Sequence, residues 1–573
     1  MPVRVLSCAA AVGVALLLVL LEPIGEPWWI NADPDGAYVA SSLNILIGNH
    51  TDYLDHPGLP TQDALALGFG AEYLFDKAAG NVTGRQQFVD RQFLDLDRAR
   101  PLYRGWTIAL FIGGAVAVYW ALTLFLRSAV LGFAGSLLYV GTPGIAQLVL
   151  SLRPDPILTA LSVVVSVLIA DAFERRNAVH YFFAAAVLGL ALMMKLPAIA
   201  LGVPLALAAL WHPPADGWAR PLGNQTRRSL RRHVFWIAPL AVAWIVLCVV
   251  FNRERLPILT NNPQRHVLEN GGAAVGGVVV AAFVAERFRL SGARRLFSTF
   301  TALLVLAFVA GLALPATLIL DDGIQSIAAM WDSLTGGRVN AGIKWFADFR
   351  LVSLVQSPLR YFTLVFVLAV AAAFVGAIRR IWWPALLALG ASLLAVSAAA
   401  RYSFPYYYGP AFGASIPGAL WLFARRRLPL QLVGCALGVV VAVAAFQHRQ
   451  ESTREVETVN ADAQRLADRL VKPGEVVVAA APLPIADLRF DQLVAGFADY
   501  TPPTYPYRFL VVGSARLAES HLTPAYYVAP VDSIDQLSAS SRLDVNGATY
   551  GLKALPIRWG PRREFGVAAL VRR

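Results

Sequence analysis

Five short stretches of this sequence set carboxylates, a histidine or cations among prolines and aromatic residues. They are Asp33-Pro34-Asp35-Gly36-Ala37-Tyr38, Asp55-His56-Pro57-Gly58, Arg153-Pro154-Asp155-Pro156, the single Lys195, and Arg401-Tyr402 with Pro405-Tyr406-Tyr407-Tyr408. Carboxylates and imidazoles move protons, and lysine and arginine hold anions. Each stretch also has an ordinary structural use. Asp33 before Pro34 and Asp155 before Pro156 have the form of an N-cap residue followed by proline at the first helical position. His56-Pro57-Gly58 suits a tight turn. Lys195 and Arg401 can snorkel to a membrane interface, and the tyrosines can form an interfacial belt. Lys195 stands out because the chain has only five lysines among its 49 basic residues. Joint chemistry requires that the stretches meet, so the elements between them decide the matter.

Those elements are apolar. Of 573 residues, 57% are hydrophobic and 15% charged, against a usual charged share of about 25%. With a mean hydropathy of +0.56, a water-soluble globule is excluded and lipid is the solvent for most of the molecule. Glycine and proline are spread through the apolar runs, as polytopic helices tolerate. Cys8, Cys248 and Cys435 each lie inside such a run, with no disulfide or zinc spacing. The first run, from Val5 to Leu21, is followed by Glu22-Pro23-Ile24-Gly25 in place of a cleavage site and reads as an uncleaved anchor. Further runs lie at about 102–126, 129–150, 156–172, 179–194, 197–211, 234–251, 273–285, 298–320, 361–378, 381–400, 410–424 and 428–446, which makes about thirteen crossings.

Orientation follows from the arginines, which collect on the cytoplasmic side of membrane proteins. If the chain starts inside, the inner connections carry Arg127; Arg175 and Arg176; Arg220, Arg227, Arg228, Arg231 and Arg232; Arg287, Arg289, Arg294 and Arg295; Arg379 and Arg380; and Arg425 to Arg427. Every inner connection is marked. This clustering accounts for much of the net charge of +12 and excludes a nucleic-acid partner as its cause. All five chemistry-bearing stretches then fall on the opposite, outer face.

Two large pieces remain outside: a first loop at 23–101 and a tail at 448–573. The tail reads as a helix from Thr453 to Leu470, a Lys472-Pro473-Gly474 turn, a buried strand Glu475 to Ala479 and a second strand Phe509 to Val512. This predicts a small α/β domain following a membrane module at 1–447. A loop at 321–359 carries Trp331, Trp345, Phe346 and Phe349 at a spacing that predicts a helix lying in the headgroup layer.

The constellation resembles the polyprenyl-phosphate-dependent glycosyltransferases of the GT-C type, in the branch of protein mannosyltransferases and the aminoarabinose transferase of lipid A. The resemblance rests on Asp33-Pro34-Asp35 with Tyr38, the His56-Pro57-Gly58 element, Arg153-Pro154-Asp155, Met194-Lys195-Leu196-Pro197, and Arg401-Tyr402 followed by proline and tyrosines. Many relatives have two adjacent acids in the first motif, whereas a proline separates them here, so either Asp33 or Asp35 matches the catalytic acid.

The resemblance implies a polytopic α-helical, GT-C-like membrane protein of about thirteen transmembrane helices with a small C-terminal α/β periplasmic domain. It implies an inverting transfer of sugar from a polyprenyl-phosphate donor to a hydroxyl or amine on a glycan, lipid or protein acceptor. The catalytic candidates are Asp33, Asp35 and Asp155. Lys195, Arg401 and Arg153 are candidates for the donor phosphate, and Tyr38, Asp55, His56, Tyr402 and Tyr406 for substrate contact. A divalent cation, Mg or Mn, would fall to Asp33, Asp35 and Asp155. The expected setting is a bacterial inner membrane, with the N-terminus cytoplasmic and the tail periplasmic. The rival readings are a lipid-linked-sugar transporter or flippase, whose site would sit near the bilayer midplane on broken helices, and a non-catalytic envelope-assembly subunit.

Overall fold

A computed structural model describes residues 2–20, 32–49, 58–142, 145, 152–214, 242–249, 272–273, 275–282, 284, 298–318, 320–335, 360–401, 405–424, 428–480, 500–502, 509–512, 523–540, 542–545, 547–559 and 563–573. Within these residues, the apolar runs become helices close to their expected bounds. α1 is Pro2–Leu20, and the first loop then supplies three helices, α2 (Ala32–Ile47), α3 (Leu59–Ala78) and α4 (Arg85–Leu94). α5 (Leu96–Leu126), α6 (Ala129–Val140), α7 (Asp155–Arg175) and α8 (Ala178–Met194) follow, then a 3-10 turn at Leu196–Leu201 and α9 (Gly202–Trp211). Next come α10 (Thr299–Ala316), α11 (Leu320–Thr335), α12 (Arg360–Ile378), α13 (Trp383–Arg401), a 3-10 turn at Pro405–Tyr408, α14 (Gly409–Ala424) and α15 (Leu428–Leu470).

The molecule is a multi-pass membrane protein. Five of the described helices have segments long and apolar enough to cross a bilayer: Val3–Leu20, Pro101–Leu126, Asp155–Arg175, Thr299–Ala316 and Leu428–Gln447. Shorter apolar helices stand beside them at Gly36–Ile47, Ala129–Val140, Ala178–Met194, Leu196–Trp211, Phe362–Ile378 and Trp383–Ala398. The expected runs at 234–251 and 273–285 are helical where described, at 242–249 and at 273, 275–282 and 284. Of the expected headgroup-layer helix, α11 covers the first part; Trp345, Phe346 and Phe349 lie outside the described residues.

The hairpins close in a common way at their arginine ends. Arg127 after α5 and Arg176 after α7 are left-handed, with φ of 56° and 53°. The very next residues, Ser128 and Asn177, cap the following helices, their side-chain oxygens accepting the N–H groups of Leu131 and Val179. Left-handed backbone costs an L-residue roughly 1–2 kcal/mol. Arginine offsets part of that cost, because its charge sits where the carbonyl end of the helix dipole is negative. Beside the second hairpin, the buried Asp171 faces Arg175 Nε at 2.6 Å and His180 Nδ1 at 2.5 Å, and Arg176 Nε donates to Pro213 O at 3.0 Å.

The main core joins α5, α6, α7, α8, α12, α13 and α14. With lipid outside, apolar burial does not drive these helices together, so close packing must. α8 and α10 meet at Gly189 and Gly311. A Cβ at Gly189 would overlap the carbonyl of Phe308, and one at Gly311 would overlap the carbonyl of Ala186.

α15 is a single helix of 43 residues, about 65 Å long. The composition change near residue 448 therefore falls inside a continuous helix, and the expected Thr453 to Leu470 helix is its outer half. Beyond it lies a six-stranded mixed sheet. Its strands are β1 (Glu475–Ala479), β2 (Phe509–Val511), β3 (Thr523–Pro530), β4 (Leu543–Val545), β5 (Ala548–Trp559) and β6 (Phe565–Arg572), in the order β2-β1-β3-β6-β5-β4. β1 runs parallel to β2 and β3, and the remaining pairs are antiparallel. Val477 and Ala479 face a cluster that reaches Leu470 at the end of α15, while Val476 and Val478 face Ile534 of α16 (Val531–Ser540). Both faces are covered, which is why β1 reads as an unbroken apolar run.

Gly311→Ala and Gly189→Ala should each force α8 and α10 apart. The expected destabilisation is about 1–3 kcal/mol, measured as a lowered unfolding midpoint of the detergent-solubilised protein. Gly113→Ala, where a Cβ meets open space, should leave the midpoint unchanged.

Candidate active site

Asp155 opens α7. The helix begins one residue earlier than an Asp155 cap would allow: Pro154 occupies the cap position with φ −71° and ψ −13°, and there is no side-chain cap bond. The capping reading of Asp155 is therefore corrected, and the reason is a stronger partner. Lys195 Nζ donates to Asp155 Oδ1 at 2.7 Å, with the two side chains 8% and 1% exposed. An anion at the first turn of a helix is further favoured by the positive end of the dipole. Asp155 Oδ2 is buried and has no hydrogen-bond partner among the described residues.

Lys195 occupies a break made by proline. α8 ends at Met194; Lys195 is extended, with φ −164° and ψ 133°, and the 3-10 turn starts at Leu196-Pro197. Pro197 has no N–H with which to continue the ladder of α8. The Lys195 backbone is satisfied all the same, its N–H donating to Ala191 O and its carbonyl accepting from Ala198 N. What the break achieves is to send one cation back across the start of α7.

A third element completes the arrangement. The 3-10 turn before α14 sets the ring of Tyr407 with its centroid 4.0 Å from Lys195 Nζ. Such a contact is worth about 2 kcal/mol when desolvated. The neighbouring Tyr408 turns into the core against Phe362. Asp155, Lys195, Pro197, Tyr407 and Pro410 line one cleft together with Leu394, Ser397 and Ala398 of α13. It holds about 350 Å³ of empty space, part of it open to solvent. Arg401 is the last residue of that same α13, one turn beyond Ala398; its side chain lies outside the described residues.

Arg153 lines a neighbouring hollow with Thr61, Thr107, Leu152, Pro156 and Ile157, and not the cleft of Lys195. Asp33 and Asp35 sit on the first turn of α2, with side chains outside the described residues. Tyr38, one turn further, is 1% exposed, and its hydroxyl lies so close to Gly58 that a Cβ there would overlap it. Gly58 in turn precedes α3, whose Thr61 Oγ1 approaches Met194 Sδ at 3.8 Å. A short relay of contacts thus leads from α2 to the residue beside Lys195. Asp55, His56 and Tyr402 lie outside the described residues, as does the side chain of Tyr406. Among the described residues no three histidine, cysteine or acidic side chains gather as a metal site would require. An Asp33, Asp35 and Asp155 ligand set rests in part on side chains outside them.

Two features went unread in the sequence. The Tyr407 contact was hidden in a run of three tyrosines, where only the direction of the chain decides which ring turns to the cation. The buried polar start of α3, with Thr61, Gln62 and Asp63 each no more than 2% exposed, lay in a segment taken as loop.

Removing one member of a buried pair leaves the other charge uncompensated, at about 3–5 kcal/mol. Asp155→Ala and Lys195→Met should each lower stability by that order. The double variant Asp155→Ala with Lys195→Met should lose distinctly less than the sum, as read by a double-mutant cycle on detergent-phase unfolding.

Residues 105–251 match the family described as dolichyl-phosphate-mannose-protein mannosyltransferase. No curated protein sequence matches the chain. Among solved structures it is similar to the Archaeoglobus fulgidus oligosaccharyltransferase in complex with Zn and sulfate, with TM-score 0.43 and 12% identity over 93% of this chain and 69% of that one. It is also similar to ArnT from Cupriavidus metallidurans bound to undecaprenyl phosphate, with TM-score 0.32 and 16% identity over 98% of this chain and 97% of that one. The family match covers residues 105–251, about a quarter of the chain, and that segment contains both Asp155 and Lys195.

Proposed function

We propose that this protein is a GT-C type glycosyltransferase that moves a sugar from a polyprenyl-phosphate donor to a hydroxyl or amine acceptor at the periplasmic face of the inner membrane, with inversion. The observation that carries this reading is the buried Lys195–Asp155 pair in an apolar cleft. It lies at the ends of α7 and α8 away from the Arg175 and Arg176 hairpin. A lysine kept charged at the edge of the hydrocarbon suits a phosphate carried on a lipid, and charge collected at one membrane edge suits surface chemistry better than a midplane conduction path.

The chemistry asks for unequal help. A phosphate ester leaves as a stabilised anion, so no strong proton donor is needed on that side. Asp33 or Asp35 takes the proton from the acceptor as its oxygen or nitrogen attacks the anomeric carbon. The anomeric carbon–oxygen bond to phosphate breaks with its electron pair going to the phosphate, and Lys195 and Arg401 offset the charge that develops there. Direct displacement inverts the anomeric centre. Asp155 holds Lys195 in place, and Tyr407 covers the ammonium from the side. Arg153 is assigned to the donor phosphate as a third cation, and Tyr38, Asp55, His56, Tyr402 and Tyr406 to substrate contact. A divalent cation, Mg or Mn, would take Asp33 and Asp35 ahead of the Asp155 oxygen already paired with Lys195. Residues 1–447 form the membrane module on this reading, and 448–573 the periplasmic part.

Cells whose only copy carries Asp33→Asn or Asp35→Asn should accumulate the donor as a polyprenyl-phosphate sugar. Mass spectrometry of the lipid extract detects this and identifies the sugar. For the variant lacking the base, turnover should fall by about 10²–10⁴. Lys195→Met should weaken binding of undecaprenyl phosphate to the purified protein at least tenfold. Unchanged lipid extracts in both aspartate variants would remove the base assignment, and unchanged binding in Lys195→Met would remove the phosphate site.

A further inference from the structure

Asn44 is fully buried in α2, a helix otherwise apolar over Ile45-Leu46-Ile47. Asparagine is a poor interior helix residue, and a buried carboxamide is costly unless bonded. Its partners come from the far end of the chain. Asn44 Oδ1 accepts the backbone N–H of Tyr500 at 2.7 Å, and Asn44 Nδ2 donates to the Tyr500 carbonyl at 3.1 Å and to Ala40 O at 2.8 Å. One side-chain amide thereby pairs with both peptide groups of a residue 456 positions away, as a strand would.

The Tyr500 side chain makes a second attachment. Its hydroxyl donates to Asp90 Oδ1 of α4 at 2.7 Å, and its ring packs on the cluster shared by α2, α3 and α4. Burial and the adjoining Asp90 carboxylate raise the phenol above its ordinary value, so it remains a donor throughout the neutral range. Thr501 and Pro502, which follow it in the chain, are buried.

We propose that Tyr500 is a positioning residue for the transfer reaction, acting through Asn44 and Asp90 as a latch by which the C-terminal part fixes α2. The consequence follows from helix rigidity. Asn44 lies about 14–17 Å along α2 from the Asp33 and Asp35 positions, so clamping the far half sets where the first turn points. The latch rests on the reading above that one of those acids is the base. On this account the C-terminal sheet domain belongs to the catalytic unit.

The test uses the full-length protein. Asn44→Ala and Asp90→Ala should raise the polyprenyl-phosphate-sugar pool in lipid extracts as Asp33→Asn does, while undecaprenyl phosphate binding stays within twofold of the parent. Asp90→Asn, which still accepts from the Tyr500 hydroxyl, should restore the parental lipid profile. Hydrogen exchange of residues 32–47 should accelerate at least tenfold in Asn44→Ala. Should Asn44→Ala fail to accumulate in membranes, Tyr500→Phe against Asp90→Asn carries the same comparison, with loss expected only in the former. Parental lipid profiles in Asn44→Ala, Asp90→Ala and Tyr500→Phe would overturn the latch. Parental profiles in Asp33→Asn and Asp35→Asn, with loss in Asn44→Ala, would overturn the base assignment and uphold the latch.

Discussion

A lysine and an aspartate buried against each other at the mouth of an apolar bundle constrain everything around them. Neither charge survives alone there, because removing an ion from water costs several kcal/mol and only a close partner returns it. Asp155 and Lys195 meet at 2.7 Å, and that meeting requires two interruptions of helix at the same level. α7 must start with the carboxylate on its first turn, and α8 must end so that the next side chain can turn back. Pro154 and Pro197 provide the interruptions. The small-residue crossing of α8 with α10 then fixes how deep α8 sits, and through it the height of the ammonium.

The same hairpin shows how a membrane helix pair sorts its charges. At one end, Arg175, Arg176 and Asp171 form a partly exposed junction, tied to His180 and to the carbonyl of Pro213. At the other, a single ion pair is enclosed. The arginines lie where the helix dipole of α7 is negative and Asp155 where it is positive. The dipole of α7 therefore favours the charge found at each of its ends.

Much of the fold was legible because hydropathy and length report directly on lipid. α5, α7, α8, α10, α12, α13 and α14 start and stop within a few residues of their apolar runs, and β1 coincides with Glu475 to Ala479. The helices of the first loop were not legible, since they bury their faces against protein. α3 hides Thr61, Gln62 and Asp63, and α4 is rich in glutamine and arginine, so neither carries a lipid signal. The boundary near 448 misled for a related reason: a helix leaving the membrane changes composition without changing conformation, and α15 runs straight through. At the site, sequence order brought Asp155 and Lys195 to one face, but spacing could not say that Asp155 would forgo its cap for a lysine 40 residues on. A local capping bond and a tertiary ion pair compete for one carboxylate, and in a dry setting the charged partner wins.

The two contacts that hold the Lys195 ammonium differ in kind, and the proposed phosphate role uses that difference. Lys195 has three protons to donate; one goes to Asp155 Oδ1, and the face of Tyr407 covers another side without consuming a donor. A π face attracts a cation but binds it less firmly than an anion does. On the proposed function, a phosphate would compete with the ring on one side of the ammonium, while Asp155 holds the other. The pair thus joins an ionic contact to an aromatic one, and the aromatic one sits on the 3-10 turn between α13, which ends at Arg401, and α14.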